Sequence, residues 1–193
     1  MKRFVLSIAL ALTLAGTATA ASYQIDSNHT QVHFTYKHLG YSNLIVRLNQ
    51  VTGTFEFDPA KPGASSIEVQ VPMSSLSSGV PKLDAHLSNA DFFDVAKFPT
   101  ATFKSSQVTV VDEDSLRVAG ALTIHGVTRP VTLAVTINQV GAHPMRKTPA
   151  AGFDATATIK RSDFGVGGMV PAVADEVHLR ISLEAQHAKP AGE

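Results

Sequence analysis

Four polar side chains in two separate stretches could act together chemically. Asp84 and His86 lie within LDAHLS, and Arg161 and Asp163 lie within IKRSDF. A carboxylate beside an imidazole can transfer protons, and an arginine can hold an oxygen-bearing group through paired hydrogen bonds. An arginine–carboxylate pair can equally be structural. The spacing therefore leaves two interpretations open, a structural pair and a site for a polar head group.

Other motifs for catalysis or metal binding are weak or missing. His29 and His33 have a spacing that suits zinc on a helix, but on a strand it separates the two rings by about 13 Å. The sequence has no HExxH or GxSxG motif and no cysteine, which excludes a thiolate nucleophile. The glycine-rich run FGVGGM precedes a proline rather than a helix, unlike a phosphate-binding loop. We expect no catalytic residues, no metal site and no cofactor.

His125, within LTIHGVTRPVTL, is the most suggestive single histidine. Apolar and β-branched residues flank it, Gly126 supplies unusual backbone freedom, and Pro130 can stand near the start of a returning strand. We interpret the stretch as a hairpin in which one strand ends at Ile124 and the next runs from Arg129. His125 is then part of a structural turn.

Alternation of apolar and polar residues with a period of two dominates the chain after Ala21. The stretches QVHFTYKH, IEVQV, VTLAVTI, FDATATI and VHLRISLEA each place apolar side chains on one face. In the first of these, Phe34, Tyr36 and His38 share a face. Roughly eight such strands predict an all-β fold, and closure into an antiparallel barrel removes the exposed sheet edges.

Two long stretches change phase partway along, which predicts β-bulges. Between Tyr41 and Asp58 the apolar positions shift by one residue near Asn49-Gln50. The stretch from Thr102 to Val110 shows a similar shift. Bulges of this kind bend a strand and help a sheet to curl.

Residues 79–95 interrupt the alternation and predict a short helical insert, formed by one helix or two. Apolar residues recur there at helical spacing, and Pro81 suits a first helical turn. A group of phenylalanines follows, and it predicts either a hydrophobic plug at one barrel end or the mouth of an apolar cavity. The group consists of Phe92, Phe93 and Phe98.

The first twenty residues read as a signal peptide. Lys2 and Arg3 precede an apolar run that is too short to span a bilayer, and Ala18-Thr19-Ala20 forms a small-x-small cleavage site. Cleavage near Ala20 leaves one domain, residues 21–193, with about two net negative charges. We expect a periplasmic protein without stable membrane insertion. The lack of a basic cluster argues against nucleic-acid binding.

Several stretches, in this order and spacing, resemble the YceI-like family of lipid-binding, lipocalin-like barrels. They are YQIDSNHTQVHFTYKHLG, GTFEFD, LDAHLSNADFFDVAKFPTATF, GALTIHGVTRPVTL and IKRSDFGV, which extend from Tyr23 to about Ala185. The resemblance implies an eight-stranded antiparallel barrel with a helical insert, holding a long isoprenoid chain in an apolar channel. It also implies a binding or carrier protein of the periplasm, associated with isoprenoid quinones and with stress such as altered pH, rather than an enzyme.

We therefore expect the ligand to be an isoprenoid lipid of the polyprenyl or isoprenoid quinone type. An eight-stranded barrel has room for one narrow ligand, and burial of each CH₂ group contributes roughly 0.8 kcal/mol. The expected channel residues are Phe34, Tyr36, Phe55, Phe57, Phe92, Phe93, Phe98, Phe103, Leu122, Ile124 and Phe164. The expected head-group residues are His38, Asp84, His86 and Arg161.

Two alternatives remain open at this point. One is an enzyme that acts on an isoprenoid or a small amphiphile at the barrel mouth, using Asp84, His86 and Arg161. The other is a filled barrel that acts only through protein partners. The sequence also leaves open a homodimer formed through a sheet face or a barrel end.

Overall fold

A computed structural model describes residues 21–188, in which ten β-strands and one α-helix follow one another along the chain. The strands are β1 (Ala21–Ile25), β2 (Gln31–His38), β3 (Ser42–Leu48), β4 (Thr52–Phe57), β5 (Ser66–Pro72), β6 (Thr100–Val110), β7 (Ser115–Ile124), β8 (Val127–Ala142), β9 (Pro149–Lys160) and β10 (Glu176–His187). The helix α1 (Pro81–Ser88) lies between β5 and β6, and short 3₁₀ turns occupy Pro62–Ala64, Met73–Ser75 and Arg161–Phe164. The signal peptide expected at residues 1–20 lies outside the described residues.

The strands close into an antiparallel barrel with eight strand positions. β1 and β2 follow one another along the same edge of β10, and β4 and β3 pair with them in turn. β1 and β2 therefore form one interrupted strand of the barrel, and β3 and β4 form the next. The order around the barrel is β1/β2, β3/β4, β5, β6, β7, β8, β9 and β10, and the pairing of Tyr23 with His187 closes the ring. The predicted eight-stranded antiparallel barrel with a helical insert is confirmed.

Two irregular points of the barrel fall where the apolar pattern changes phase, whereas a further register shift, between Ile137 and Gln139 in the β8–β9 pairing, lies outside the predicted stretches. β3 ends at Leu48 and β4 begins at Thr52, and Gln50 between them has a φ of 58°. In β6 the pairing register with β7 shifts between Ser105 and Gln107. Both positions lie within the stretches where bulges are predicted, and the extra residues allow the sheet to bend toward closure.

A two-residue turn joins β7 to β8. Ile124 pairs directly with Val127, and His125 and Gly126 between them have φ values of 52° and 73°. Two consecutive left-handed residues match the type I′ turn, whose twist suits a hairpin. The predicted hairpin is therefore present, but the return strand begins at Val127 rather than at Arg129, because this turn needs only two residues.

The two ends of the barrel differ in how they are covered. The β7–β8 turn lies at the same end of the barrel as α1 and the segment that leads into β6. The two ends of this connection meet there, because the backbone N–H of Met73, just after β5, donates to the carbonyl of Pro99, just before β6. We call this the helical end. The opposite end, which we call the far end, carries the β8–β9 turn. Among the described residues, no helix is long and apolar enough to cross a membrane.

Candidate functional site

An elongated cavity of about 280 Å³ lies inside the barrel. Val177, Leu179, Ile181 and Leu183 of β10 all line it. At about 3.3 Å per residue, these positions follow the cavity for roughly 20 Å. The cavity therefore runs along the barrel rather than forming a local pocket.

The side chains around the cavity show that the barrel interior is not filled. Leu122, Leu133 and Ile181 point inward and line the cavity, yet each is only partly buried. In a close-packed core such side chains would be fully enclosed. This finding disfavours the filled barrel considered from the sequence.

Aromatic side chains form two groups along the lining. Towards the far end, the ring of Phe153 packs edge-on against Phe55 and Phe57, with centroids 5.5 and 5.4 Å away. Nearer the helical end, Phe34 packs against Tyr36 at 6.3 Å and against Phe93 at 5.9 Å. These rings present broad apolar surfaces that suit a slender hydrocarbon chain.

Phe98 is the one expected channel residue that the structure places elsewhere. Its ring packs edge-on against His125, with centroids 4.4 Å apart, and a Cβ atom on Gly126 would lie 2.5 Å from it. Phe98 therefore packs on the β7–β8 turn. The other expected channel residues line the cavity, and they are Phe34, Tyr36, Phe55, Phe57, Phe92, Phe93, Phe103, Leu122, Ile124 and Phe164.

A polar group of side chains lines the cavity at its helical end. It contains His38, His86 and Arg161 from the expected head-group set, together with Tyr36. Burial raises the pKa of Tyr36, so its hydroxyl stays protonated near neutral pH and can donate a hydrogen bond. His86 packs edge-on against Phe92, with ring centroids 4.8 Å apart. We call these four residues the polar end of the cavity.

Arg161 is held by backbone carbonyl groups rather than by a carboxylate. Its Nε donates to the carbonyl of Ala174 at 2.8 Å, and its two terminal nitrogens donate to Val166 at 2.6 Å and to Val173 at 2.9 Å. Burial lowers the pKa of Arg161, although a guanidinium remains cationic at neutral pH. The bonds fasten the loop that follows β9. A guanidinium has five N–H groups, so donors remain for a ligand.

Asp84 belongs to the start of α1 and is not among the residues that line the cavity. Its carboxylate accepts hydrogen bonds from the backbone and the side chain of Ser78, at 2.6 and 2.5 Å. Of the hydrogen bonds and ion pairs between described residues, none joins Asp84, His86, Arg161 or Asp163 to another member of that group. The grouping considered from the sequence does not form, since Asp84 bonds to Ser78, His86 packs on Phe92 and Arg161 bonds to backbone carbonyls.

Some cavity residues were missing from the sequence-based set. Phe153 lies on the inward face of β9, and the alternation in FDATATI already indicated that face. Met169 and Val173 also line the cavity, but they lie in the loop between β9 and β10. No periodic pattern marks a loop residue as inward-facing, so only the folded chain reveals these two.

A cluster on the outer surface brings together Asp26, His29 and Glu184, whose donor atoms lie within 4.8 Å of one another. His29 Nδ1 is 3.1 Å from a carboxylate oxygen of Asp26, and Gln186 donates to the same oxygen. These contacts fasten the segment between β1 and β2 to β10. We interpret the cluster as a structural contact.

A closed antiparallel barrel around a mostly apolar channel, with polar side chains at the helical end, is the architecture of small lipocalin-like binding proteins. The sequence profile of the YceI-like domain family matches residues 23–185. The chain belongs to this family, and the resemblance seen in the sequence is confirmed.

Bacterial relatives match over nearly the whole chain. A UPF0312 protein of Pseudomonas savastanoi pv. phaseolicola is 41% identical over 186 residues, which cover 95% of this chain and 96% of that protein. The crystal structure of Burkholderia cenocepacia BcnA has a TM-score of 0.75 at 29% identity, covering 83% of this chain and 98% of BcnA. A polyisoprenoid binding domain from Saccharophagus degradans has a TM-score of 0.68 at 14% identity, covering 87% of this chain and 99% of that domain, and it shows the fold alone.

Proposed function

We propose that the protein is a periplasmic carrier that holds an isoprenoid lipid, of the polyprenyl or isoprenoid quinone type, in the barrel cavity. The observation that carries this proposal is the long, mostly apolar channel with the polar end at the helical side of the barrel. A ligand that matches it must be narrow, mostly hydrocarbon and polar at one terminus. Isoprenoid alcohols, phosphates and quinones all have this form.

The energetics of burial favour a lipid over a compact polar ligand. Each CH₂ group moved from water into the channel contributes roughly 0.8 kcal/mol, so a chain of several isoprene units gains several kcal/mol. The cavity is larger than the ~150 Å³ apolar cavity that holds one benzene molecule in an engineered protein. The family membership and the polyisoprenoid-binding domain among the structural neighbours support the same class of ligand.

In this proposal the polar end receives the head group. The Tyr36 hydroxyl and the free N–H groups of Arg161 donate hydrogen bonds, and His38 and His86 lie beside them on the lining. A quinone carbonyl, an alcohol or a phosphate could each accept these bonds. We propose binding rather than chemical conversion, because these side chains do not form a nucleophile–base pair with one another.

Gentle native mass spectrometry of protein purified from the periplasm, followed by solvent extraction and lipid identification, tests the proposal. We expect one isoprenoid lipid per chain. If the protein is lipid-free, it is loaded with ubiquinone and with polyprenyl phosphate, and bound mass is measured again. Failure to bind either lipid would overturn the proposal. Chemical conversion of a bound lipid that is lost in His86→Ala would show an enzyme instead of a carrier.

A further inference from the structure

The turn between β2 and β3 projects apolar side chains into solvent at the helical end. Tyr41 is 93% exposed and Leu39 is 43% exposed. The turn is tight, since the backbone N–H of Tyr41 donates to the carbonyl of His38 at 3.0 Å. A large aromatic side chain with almost no contacts inside its own chain contributes nothing to folding through burial. Single exposed apolar residues are common on protein surfaces, so the exposure of Tyr41 is informative only where further apolar residues lie beside it.

A second pair of exposed apolar residues lies on the neighbouring loop. Met169 is 57% exposed and Val170 is 38% exposed. The backbone N–H of Val173 donates to the carbonyl of Met169 at 2.9 Å, and Val173 forms a β-bridge with His38. The loop therefore lies against the end of β2. We call Leu39, Tyr41, Met169 and Val170 the apolar tip.

Two residues of the apolar tip are held in a backbone conformation that side chains disfavour. Leu39 has a φ of 51° and Met169 has a φ of 63°. Both values lie in the left-handed region, where residues with a Cβ atom are uncommon and Asn or Gly would be cheaper. An exposed leucine and an exposed methionine at such positions cost stability twice, in backbone strain and in solvation. Gln50 and His125 have similar φ values, so at the tip it is the combination of this strain with exposed apolar side chains that points to a functional surface.

The apolar tip is continuous with the mouth of the cavity. Met169 belongs to the tip and also lines the cavity, and His38, which precedes Leu39, lines it as well. We propose that the apolar tip docks onto the surface of a lipid bilayer, so that the ligand passes between the membrane and the cavity at the helical end. This inference rests on the proposed lipid-carrier function and adds the surface through which the lipid is exchanged.

A bilayer fits the apolar tip better than a second copy of the chain does. The four side chains form a patch of a few hundred Å² at most, whereas a stable protein interface buries about 800 Å² on each partner. A membrane surface accepts small apolar protrusions without matching their shape. A tyrosine on a loop suits the interfacial layer, where its ring meets apolar groups and its hydroxyl meets water.

The test uses the mature protein and a triple variant of tip residues that do not line the cavity, Leu39→Asn, Tyr41→Ser and Val170→Ser. Asparagine tolerates positive φ, so the variant removes apolar surface without adding backbone strain. The control is Met145→Ser, because Met145 is 83% exposed in the β8–β9 turn at the far end. Three quantities are measured: flotation with phosphatidylcholine vesicles, transfer of ubiquinone from those vesicles, and binding of ubiquinone delivered without vesicles.

We expect the triple variant to lose flotation and to transfer ubiquinone at least about tenfold more slowly, while vesicle-free binding stays unchanged. The control should match the wild type in all three measurements. Unchanged transfer and flotation in the triple variant would overturn the docking proposal and leave the carrier function intact. Flotation that depends on the tip, in a protein that binds no lipid, would overturn only the carrier function. Tip-dependent dimers seen by sedimentation without flotation would identify a second copy as the occupant and overturn the docking proposal.

Discussion

At the scale of single residues, the space in the channel depends on small side chains that face inward. Ala155 of β9 is buried and lines the cavity beside larger residues. Replacing it with phenylalanine should place a ring in the channel, where space is available, instead of forcing apart a close-packed core. We expect Ala155→Phe to fold and to bind ubiquinone or polyprenyl phosphate at least about tenfold more weakly. Titration with either lipid measures the change.

The adjacent strand offers a matched control for this substitution. Ala134 of β8 is exposed on the outer face, and it pairs with Thr156, the neighbour of Ala155. Ala134→Phe adds the same ring outside the barrel and should leave lipid affinity unchanged. Equal affinity in both variants would mean that the ligand does not pass Ala155, and the lipid would then have to occupy another part of the molecule.

At the scale of elements, the β7–β8 turn depends on Gly126 for two separate reasons. Its φ is 73°, and an added Cβ would lie 2.5 Å from the Phe98 ring. Gly79 has nearly the same φ, 77°, but an added Cβ there would meet nothing within 4 Å. The positive φ alone should cost about 1 kcal/mol in an alanine variant.

We therefore expect Gly126→Ala to lower the free energy of unfolding by more than Gly79→Ala does, by an additional ~1–3 kcal/mol. Urea denaturation of both variants measures the difference. Replacing Phe98 with leucine in the Gly126→Ala background should recover part of the loss. Equal destabilisation in the two alanine variants would show that the Phe98 contact adjusts without cost.

The connection between the β1–β2 segment and β10 should depend on pH. The hydrogen bond to Asp26 raises the pKa of the exposed His29 ring. Burial raises the pKa of Asp26, but the hydrogen bonds from His29 and Asn28 act in the opposite direction and the pKa is lowered overall. The contribution of His29 is present below its unfolded pKa, near 6.5, and is lost as pH rises through its folded pKa. The contribution of Asp26 is present above about 3.9 and is lost as pH falls through its folded pKa.

The stability difference between the wild type and His29→Gln should therefore be largest between roughly pH 4 and pH 6.5 and decrease on both sides. Urea midpoints across a pH series measure it. His178→Gln is the control, because His178 also lies on the outer surface but hydrogen-bonds to Thr158 instead of a carboxylate. A pH-independent difference for His29→Gln would show that the contact contributes only through packing.

Local patterns in the sequence account for most of the barrel and for much of the candidate cavity. Alternation assigns Phe34, Tyr36 and Phe103 to the inward face because the period of a strand requires no tertiary information. The partners of Arg161 could not be predicted, since the three carbonyls that it binds belong to an irregular loop. The position of Phe98 also escaped prediction, because its contact with His125 depends on how α1 and the following turns pack onto a hairpin distant in sequence.

At the scale of the whole molecule, the barrel combines a rigid wall with an interior that is not close-packed. Hydrogen bonds between neighbouring strands run all the way around the ring and keep the barrel wall rigid. The cavity can therefore persist without a ligand instead of collapsing. The cavity has a volume of about 280 Å³, and its apolar stretch between the two ends should stay dry in the absence of lipid. The folded, lipid-free protein then occupies more volume than its atoms and hydration require.

High pressure should therefore unfold the lipid-free protein more readily than the lipid-loaded one. Unfolding eliminates internal voids, and the volume change scales with them, up to the order of 100 mL/mol for a protein. We expect a more negative volume change for the lipid-free form, a smaller one after loading with ubiquinone, and an intermediate one for lipid-free Ala155→Phe. Pressure-dependent NMR of methyl groups at fixed temperature measures all three. Equal volume changes for the free and loaded proteins would show that water fills the channel when lipid leaves, because a hydrated cavity contributes no void to be lost.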